Sequence, residues 1–307
     1  GFLEYDRKAV SGLVNQGWKD SNDSIFHADG QLAEPPIALC EVQAYVYAAR
    51  RAAARLARDL GRGERARQLE AAAEELRRRF EEAFWSEELG TYALALDGDK
   101  KPCRVRASNA GHCLWAGIAA PERAVRVAAG LRAPEMSSGW GIRTLATSEV
   151  RYNPMSYHNG SVWPHDSALI GRGLADYGFE EAAGEVLAAL FDASLAVDLH
   201  RLPELYCGFP RRPGAGPILY PVACSPQAWA TGVGHLLIEA CLGLSIDAPR
   251  GRVSLVHPYL PPLVDRVSIA GLRVGEAVVD LDFERHPNDV GVNVTRRQRD
   301  VEVVVVK

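Results

Sequence analysis

Residues 35–84 read PPIALCEVQAYVYAARRAAARLARDLGRGERARQLEAAAEELRRRFEEAF, and the spacing of apolar side chains within them decides the fold. Ile37, Cys40, Val42, Tyr45, Ala48, Ala52, Leu56 and Leu60 recur at the helical period, which predicts a helix over Pro35–Leu60. Gly61-Arg62-Gly63 then breaks the run. A second helix is expected from Glu64 to Phe84, with Ala66, Leu69, Ala73, Leu76, Phe80 and Phe84 on one face and charges on the other. Two amphipathic helices joined by so short a break predict an antiparallel helical hairpin.

The same pattern returns downstream. Asn109–Ala119 is joined through Pro121 to Ala124–Leu131, Val162–Tyr177 through Gly178 to Glu180–Leu195, and a last helix is expected over Pro226–Leu242. From Arg252 the character changes, and Val253–Val256, Arg266–Ile269, Ala277–Phe283 and Val301–Val306 read as strands. Repeated hairpins followed by strands predict a mainly α fold, an α/α toroid whose inner helices surround a funnel, with a small C-terminal β unit. The expected division is 1–250 for the barrel region and 251–307 for the β unit. Gly1-Phe2-Leu3-Glu4-Tyr5 enters a helical pattern with neither an initiator Met nor a cap, so the chain is expected to begin inside a longer protein.

The 307 residues are 47% hydrophobic and 24% charged, the composition of a globular protein. A formal net charge of -4, with Arg only in short clusters such as Arg77-Arg78-Arg79 on a polar helix face, argues against a nucleic-acid partner. Cys40, Cys103, Cys113, Cys207, Cys224 and Cys241 form no Cys-x-x-Cys pair, and buried free thiols in a reducing cytosol are expected. The chain has no membrane-length apolar run, and its first twenty residues lack a basic-then-apolar signal peptide, so a cytoplasmic protein without a membrane partner is expected.

Asn15–Gly30, Pro134–Pro164 and Leu199–Ser225 are long, aromatic and glycine-rich stretches between the hairpins, where function concentrates in compact domains. The first holds Gly17-Trp18-Lys19-Asp20-Ser21-Asn22-Asp23-Ser24, an indole beside several carboxylates. It reads either as a sugar-facing acid loop or as a polar loop whose Asp or Ser caps a helix. The last holds Leu202-Pro203-Glu204-Leu205, a Glu in apolar company, which reads as a base with a shifted pKa or as an ion pair with Arg201. Between them, Tyr157-His158-Asn159-Gly160-Ser161-Val162-Trp163-Pro164-His165-Asp166 supplies the stacking planes and hydrogen-bonding groups that a polyol ligand requires. His158 and His165 are seven apart with Asn159-Gly160-Ser161 between, a poor spacing for one metal, and neither metal nor cofactor is expected. Hydrolysis of a glycosidic bond needs one protonated and one ionised carboxyl group across such a pocket.

These segments, together with Ser108-Asn109-Ala110-Gly111-His112-Cys113-Leu114-Trp115 and Ser138-Gly139-Trp140-Gly141-Ile142-Arg143-Thr144-Leu145, resemble in order the catalytic half of bacterial amylo-α-1,6-glucosidase (glycogen-debranching-like) proteins. The resemblance implies an (α/α)6 toroid of the six-hairpin glycosidases and an inverting hydrolase of α-glucosidic bonds, acting on an oligosaccharide or polysaccharide. It maps a Trp-x-Asp general acid onto Asp20 and a Pro-Glu-Leu general base onto Glu204, with Asp23 the competing acid. Asp20 is expected to keep its proton through burial near Trp18. Trp18, Lys19, Asp23, Trp140, Arg143, Tyr157, His158, Asn159, Trp163 and His165 are the expected substrate contacts. A full ring has twelve helices and about eight are legible here, so the toroid is expected to be incomplete at its N-terminus. An upstream barrel half and a β domain are expected in the parent protein, or else the chain is a shortened relative. The alternatives are an α-glycosidase for a small glucoside such as trehalose, sucrose or a glucosylated osmolyte, a non-catalytic carbohydrate-binding scaffold, and a solenoid interaction module.

Overall fold

A computed structural model describes residues 1–307. Helices α1 (Cys40–Asp59) and α2 (Gly63–Phe84) form the first hairpin. Helix α1 starts later than its periodicity suggests. Proline restricts the residue before it to extended backbone and donates no N–H, so Pro35-Pro36 feeds an extended segment. There Ile37 exchanges backbone hydrogen bonds with Tyr5, and strand β1 (Ala38–Leu39) pairs with β4 (Ala95–Leu96). Strands β2 (Trp85–Ser86) and β3 (Thr91–Tyr92) turn the chain after α2.

Helix α3 (Asn109–Trp115) stops short of the expected Ala119, ahead of Gly117 at φ +73°, a left-handed conformation that glycine adopts without strain. Helix α4 (Pro121–Arg132) begins on Pro121, which needs no N–H partner at a helix start. The third hairpin is α5 (Pro164–Asp176) with α6 (Glu180–Leu195). The last expected helix is divided at Gly232 into a single turn, α7 (Ala228–Thr231), and α8 (Val233–Cys241).

Helices α1, α3, α5 and α8 pack side by side in that order, and α2, α4 and α6 back onto α1, α3 and α5. One apolar core runs through both layers, from Tyr47 and Phe80 through Leu114, Ile170 and Leu174 to Leu237. The inner row supplies four helices, whereas a six-hairpin ring has six.

Beyond the helices, β5 (Leu244–Asp247), β6 (Arg252–Val256) and β10 (Glu302–Val306) form one sheet, with β10 parallel and β5 antiparallel to β6. Strands β7 (Arg266–Val274), β8 (Ala277–Arg285) and β9 (Val290–Gln298) form an antiparallel second sheet. Val253, Leu255, Val279, Leu281 and Phe283 close a core separate from the helical one. Sheet pairing begins at Leu244, ahead of residue 251.

The site-bearing loops are tied together by backbone. Val162 and Tyr206 exchange two hydrogen bonds, of 2.9 and 3.0 Å, Arg143 bridges to Val162, and Leu219 bridges to Tyr206. At this crossing Gly208 lies against Gly160, and a Cβ on Gly208 would sit 1.6 Å from the Gly160 carbonyl oxygen. Backbone cannot yield as a flexible side chain can. Gly208→Ala is therefore expected to cost about 3 kcal/mol or more by overpacking, measured by urea unfolding. Gly130→Ala in α4, where a Cβ meets nothing within 4 Å, serves as the control and is expected to gain up to about 1 kcal/mol.

Candidate functional site

The loop carrying Trp18 and Asp20 is shaped by its own polar side chains. Asn15 accepts from the Tyr5 hydroxyl at 2.7 Å and donates to the Ser21 carbonyl at 2.7 Å, and Ser24 Oγ donates to the Lys19 carbonyl at 2.6 Å. None of these groups caps a helix, since the N-cap of α1 is Leu39 without a side-chain bond. Lys19 turns inward, where its Nζ donates to the Thr144 carbonyl at 2.7 Å. Burial pulls its pKa down to about 8, although Asp166, Glu41 and Cys40 oppose the shift.

Trp18 becomes the hub of an aromatic cluster. Its ring lies parallel to His112 at 5.8 Å and meets His158, Trp163 and His165 edge-on at 5.6, 5.6 and 5.1 Å. Two residues on, Asp20 Oδ1 lies 4.0 Å from His158 Nδ1, and the neighbouring Ser21 Oγ is bonded to that nitrogen at 2.7 Å. The Asp20 side chain is 49% exposed. The expected burial of this carboxyl group near Trp18 is therefore not found, because the indole packs onto histidines instead of covering it.

Glu204 enters from the opposite loop. Its Oε1 accepts from the Tyr157 hydroxyl at 2.7 Å and from Gln227 Nε2 at 3.2 Å, and its Oε2 accepts from the Cys224 backbone N–H at 3.1 Å. The ion-pair reading fails, because these three donors occupy the carboxylate and Arg201 forms no salt bridge with it.

Tyr157 and His158 connect the two carboxyl groups. Tyr157 bonds Glu204, His158 approaches Asp20, and their rings are in contact at 4.6 Å. The Tyr157 hydroxyl is raised well above its ordinary range by burial, by its bond to Glu204, and by the charges of Glu204 and Asp20. Trp18 and His165 also line a cavity of about 530 Å³ between α1, α3, α5 and α8, with Tyr45, His112, Trp115, Trp229 and Leu236 completing its walls. Aromatic planes around a few polar groups are the furnishing of a small-molecule or sugar site.

The other expected contacts divide sharply. Arg143 is buried and donates to the carbonyls of Gly208, Pro134 and Ser137 at 2.7, 2.9 and 2.8 Å, so it braces loops and offers a ligand nothing. Lys19 departs from its expected role for the same reason. Asn159 is buried and donates to the Asp23 carbonyl at 3.1 Å. Trp163 is buried with its indole N–H on the Tyr157 carbonyl, and Trp140 is buried beneath the Arg211 guanidinium at 4.4 Å. His158 is buried and committed to the Asp20 loop. Asp23 is exposed. Trp18 and His165 face the cavity, and Tyr157 faces Glu204. Sequence reading missed Tyr45, Trp115, Trp229 and Gln227. The available signals were the place of Tyr45 in the apolar stripe of the first helix and that of Trp115 at the end of the Ser108–Trp115 motif.

Burial holds His158 down at about 3, helped by the Lys19 charge, and His165 down at about 4. Both imidazoles are neutral at pH 7 in the folded chain, and both take up protons near 6.5 when unfolded. The unfolded chain therefore binds more protons as pH falls below 6.5, so stability that is complete above that value is lost toward pH 4. The urea midpoint is expected to be lower at about pH 5 than at about pH 7, and His165→Gln is expected to flatten this dependence. An unchanged slope in the variant would contradict the assignment.

Solved structures share this fold. A GH63 mannosylglycerate hydrolase from Thermus thermophilus, bound to Tris, is 21% identical over 66% of this chain and 45% of its own, with a TM-score of 0.52. A GH78 family rhamnosidase of Bacillus sp. GL1 is 17% identical over 88% of this chain and 26% of its own, with a TM-score of 0.65. Neutral trehalase Nth1 from Saccharomyces cerevisiae is 15% identical over 66% of this chain and 38% of its own, with a TM-score of 0.54. The chain thus spans less than half the length of each. No curated protein matches it, and no helix is long and apolar enough to cross a membrane. The model of the mannosylglycerate hydrolase MGH1-like glycoside hydrolase domain matches residues 4–202, well over half the chain, and the protein belongs to that family of glycoside hydrolase domains.

Proposed function

We propose that this chain carries the catalytic carboxyl pair of an inverting glycoside hydrolase, with Asp20 as general acid and Glu204 as general base. The observation that carries the reading is that the two groups, from loops far apart in sequence, reach adjacent residues whose rings touch, Glu204 bonded to Tyr157 and Asp20 4.0 Å from His158. Asp20 donates its proton to the glycosidic oxygen. A water oxygen attacks the anomeric carbon from the opposite face, and its proton passes to Glu204, releasing an alcohol and a sugar of inverted configuration. A sugar seated over Trp18 would cover the Asp20 carboxyl group, and the desolvation that free Asp20 lacks comes with substrate.

For the substrate, the first reading is the α-1,6-glucosidic bond of a branched glucan, resting on the five ordered motifs. The second is a small glycoside such as mannosylglycerate or trehalose, favoured by the matched family. The division of the chain into 1–250 and a β unit is part of the proposal, with the boundary moved to about residue 243 by the pairing of β5 with β6. So is an upstream barrel half in the same parent protein, supplying the two inner helices that close the row. Its packing would cover Trp115 and Trp229, which are 38% and 52% exposed.

The test incubates the full-length protein with isomaltose, panose, a glycogen limit dextrin, trehalose and mannosylglycerate, and follows the first anomer released by proton NMR. Release of the β anomer from an α-glucoside is expected, and Asp20→Asn and Glu204→Gln are each expected to lower kcat/KM roughly a thousand-fold. Release of the α anomer first would exclude inversion. Binding without release would favour a carbohydrate-binding scaffold.

A further inference from the structure

The Gln227 amide is held from both ends. Its Oε1 accepts from the Ala228 backbone N–H at 2.9 Å, which makes Gln227 the N-cap of α7. The oxygen is thereby identified, because an N–H can be met only by an acceptor. The amide NH2 must therefore face the other way, where Nε2 lies 3.2 Å from Glu204 Oε1.

The segment before Gln227 grips the same residue twice more. Glu204 N donates to the Cys224 carbonyl at 2.9 Å, and the Cys224 N–H returns a bond to Glu204 Oε2 at 3.1 Å. Main chain and side chain of Glu204 are thus both fixed to residues 224–227, which lie outside the stretch matched by the family model. Tyr157 supplies the remaining donor, from the loop that also approaches Asp20.

We infer that Gln227 is a positioning residue for the general base: with the Cys224 backbone it clamps the Glu204 carboxylate in one rotamer, aimed by the start of α7. This rests on the assignment of Glu204 under Proposed function and adds to it the element that aims the group. A carboxylate held by three donors cannot swing away from the water it deprotonates, and loss of one donor releases that rotation. The effect falls on the chemical step, because Gln227 acts through Glu204 and not on the substrate.

Gln227→Glu separates positioning from folding, since its carboxylate still accepts the Ala228 N–H and keeps the cap. It also sets a second negative charge against Glu204, which disfavours ionisation of the base. In the full-length protein, on whichever of isomaltose, trehalose or mannosylglycerate is turned over, the acidic limb of the kcat/KM profile is expected to move up by about one pH unit. Gln227→Ala is expected to lower kcat roughly ten-fold with KM within about two-fold of the parent, at an unchanged circular dichroism spectrum. Two outcomes are distinguishable. If Glu204→Gln is as active as the parent, or nothing is turned over, the underlying hydrolase reading falls and the clamp with it. If Glu204→Gln is inactive while Gln227→Glu leaves the acidic limb where it was, the clamp alone is overturned.

Discussion

The crossing of two backbone segments at Val162 and Tyr206 is the constraint on which the site depends. Asp20, Tyr157, His158 and Glu204 lie on three loops, and irregular loops do not hold catalytic geometry by themselves. The paired hydrogen bonds of Val162 with Tyr206 fix the second loop to the third, and Arg143 ties the start of the second loop, just after α4, to the third by donating to the carbonyls of Pro134, Ser137 and Gly208. Asn159 and Ser21 then fasten the first loop to the second. The side-chain fastenings made by Arg143, Asn159 and Ser21 cannot be replaced by an apolar residue without removing a partner from the group they meet.

This explains what sequence could and could not show. Helices α2 and α6 were legible to within a residue, because an amphipathic stripe of that length is a direct image of burial on one side. The limits of α1, α3 and α8 were set by Pro35-Pro36, Gly117 and Gly232, where backbone chemistry overrides periodicity. Strand β9 escaped notice since its outer half, Thr295–Gln298, is exposed and carries no alternation. At the site, the motifs marked the right neighbourhoods but not the roles. Arg143 and Lys19 are the charged groups one would assign to a ligand, yet their partners are carbonyl oxygens, and carbonyls leave no trace in a side-chain pattern. Gln227 belongs to no motif and acts through a cap bond that only the fold defines.

Beneath Trp18 the inner helices present their N-termini to a cluster of buried polar groups. Glu41 lies in the first turn of α1 and Asp166 in the first turn of α5, where the helix dipole favours negative charge. Burial drives the Asp166 carboxyl up, but the hydrogen bond and charge of His112, with Lys19 and His165, more than offset it and leave it lowered. Glu41 has weaker compensation, chiefly from the charge of His112, and burial leaves it raised. Glu41 Oε1, Ser108 Oγ, both side-chain polar atoms of Asn109 and Asp166 Oδ2 have no partner in the protein. Such groups cost stability, and they concentrate at one end of the helix row, as a polar floor beneath Trp18.

The same floor accounts for the unlike settings of the two carboxyl groups. Lys19, the buried cation nearest to Asp20 in sequence, has its amine turned to Thr144, and His158 is held neutral by burial, so no cation is presented to Asp20. Glu204 meets three donors and is fixed in direction, whereas Asp20 is half-exposed and bonded by none. A rigid carboxylate suits the removal of a proton from water on a defined line. A carboxyl group free to turn suits delivery of a proton to a leaving oxygen whose position varies with the substrate. Under the proposed assignment, two acids of nearly identical intrinsic chemistry are given opposite tasks by their surroundings, with Tyr157 and His158, adjacent in sequence, each facing one of the pair.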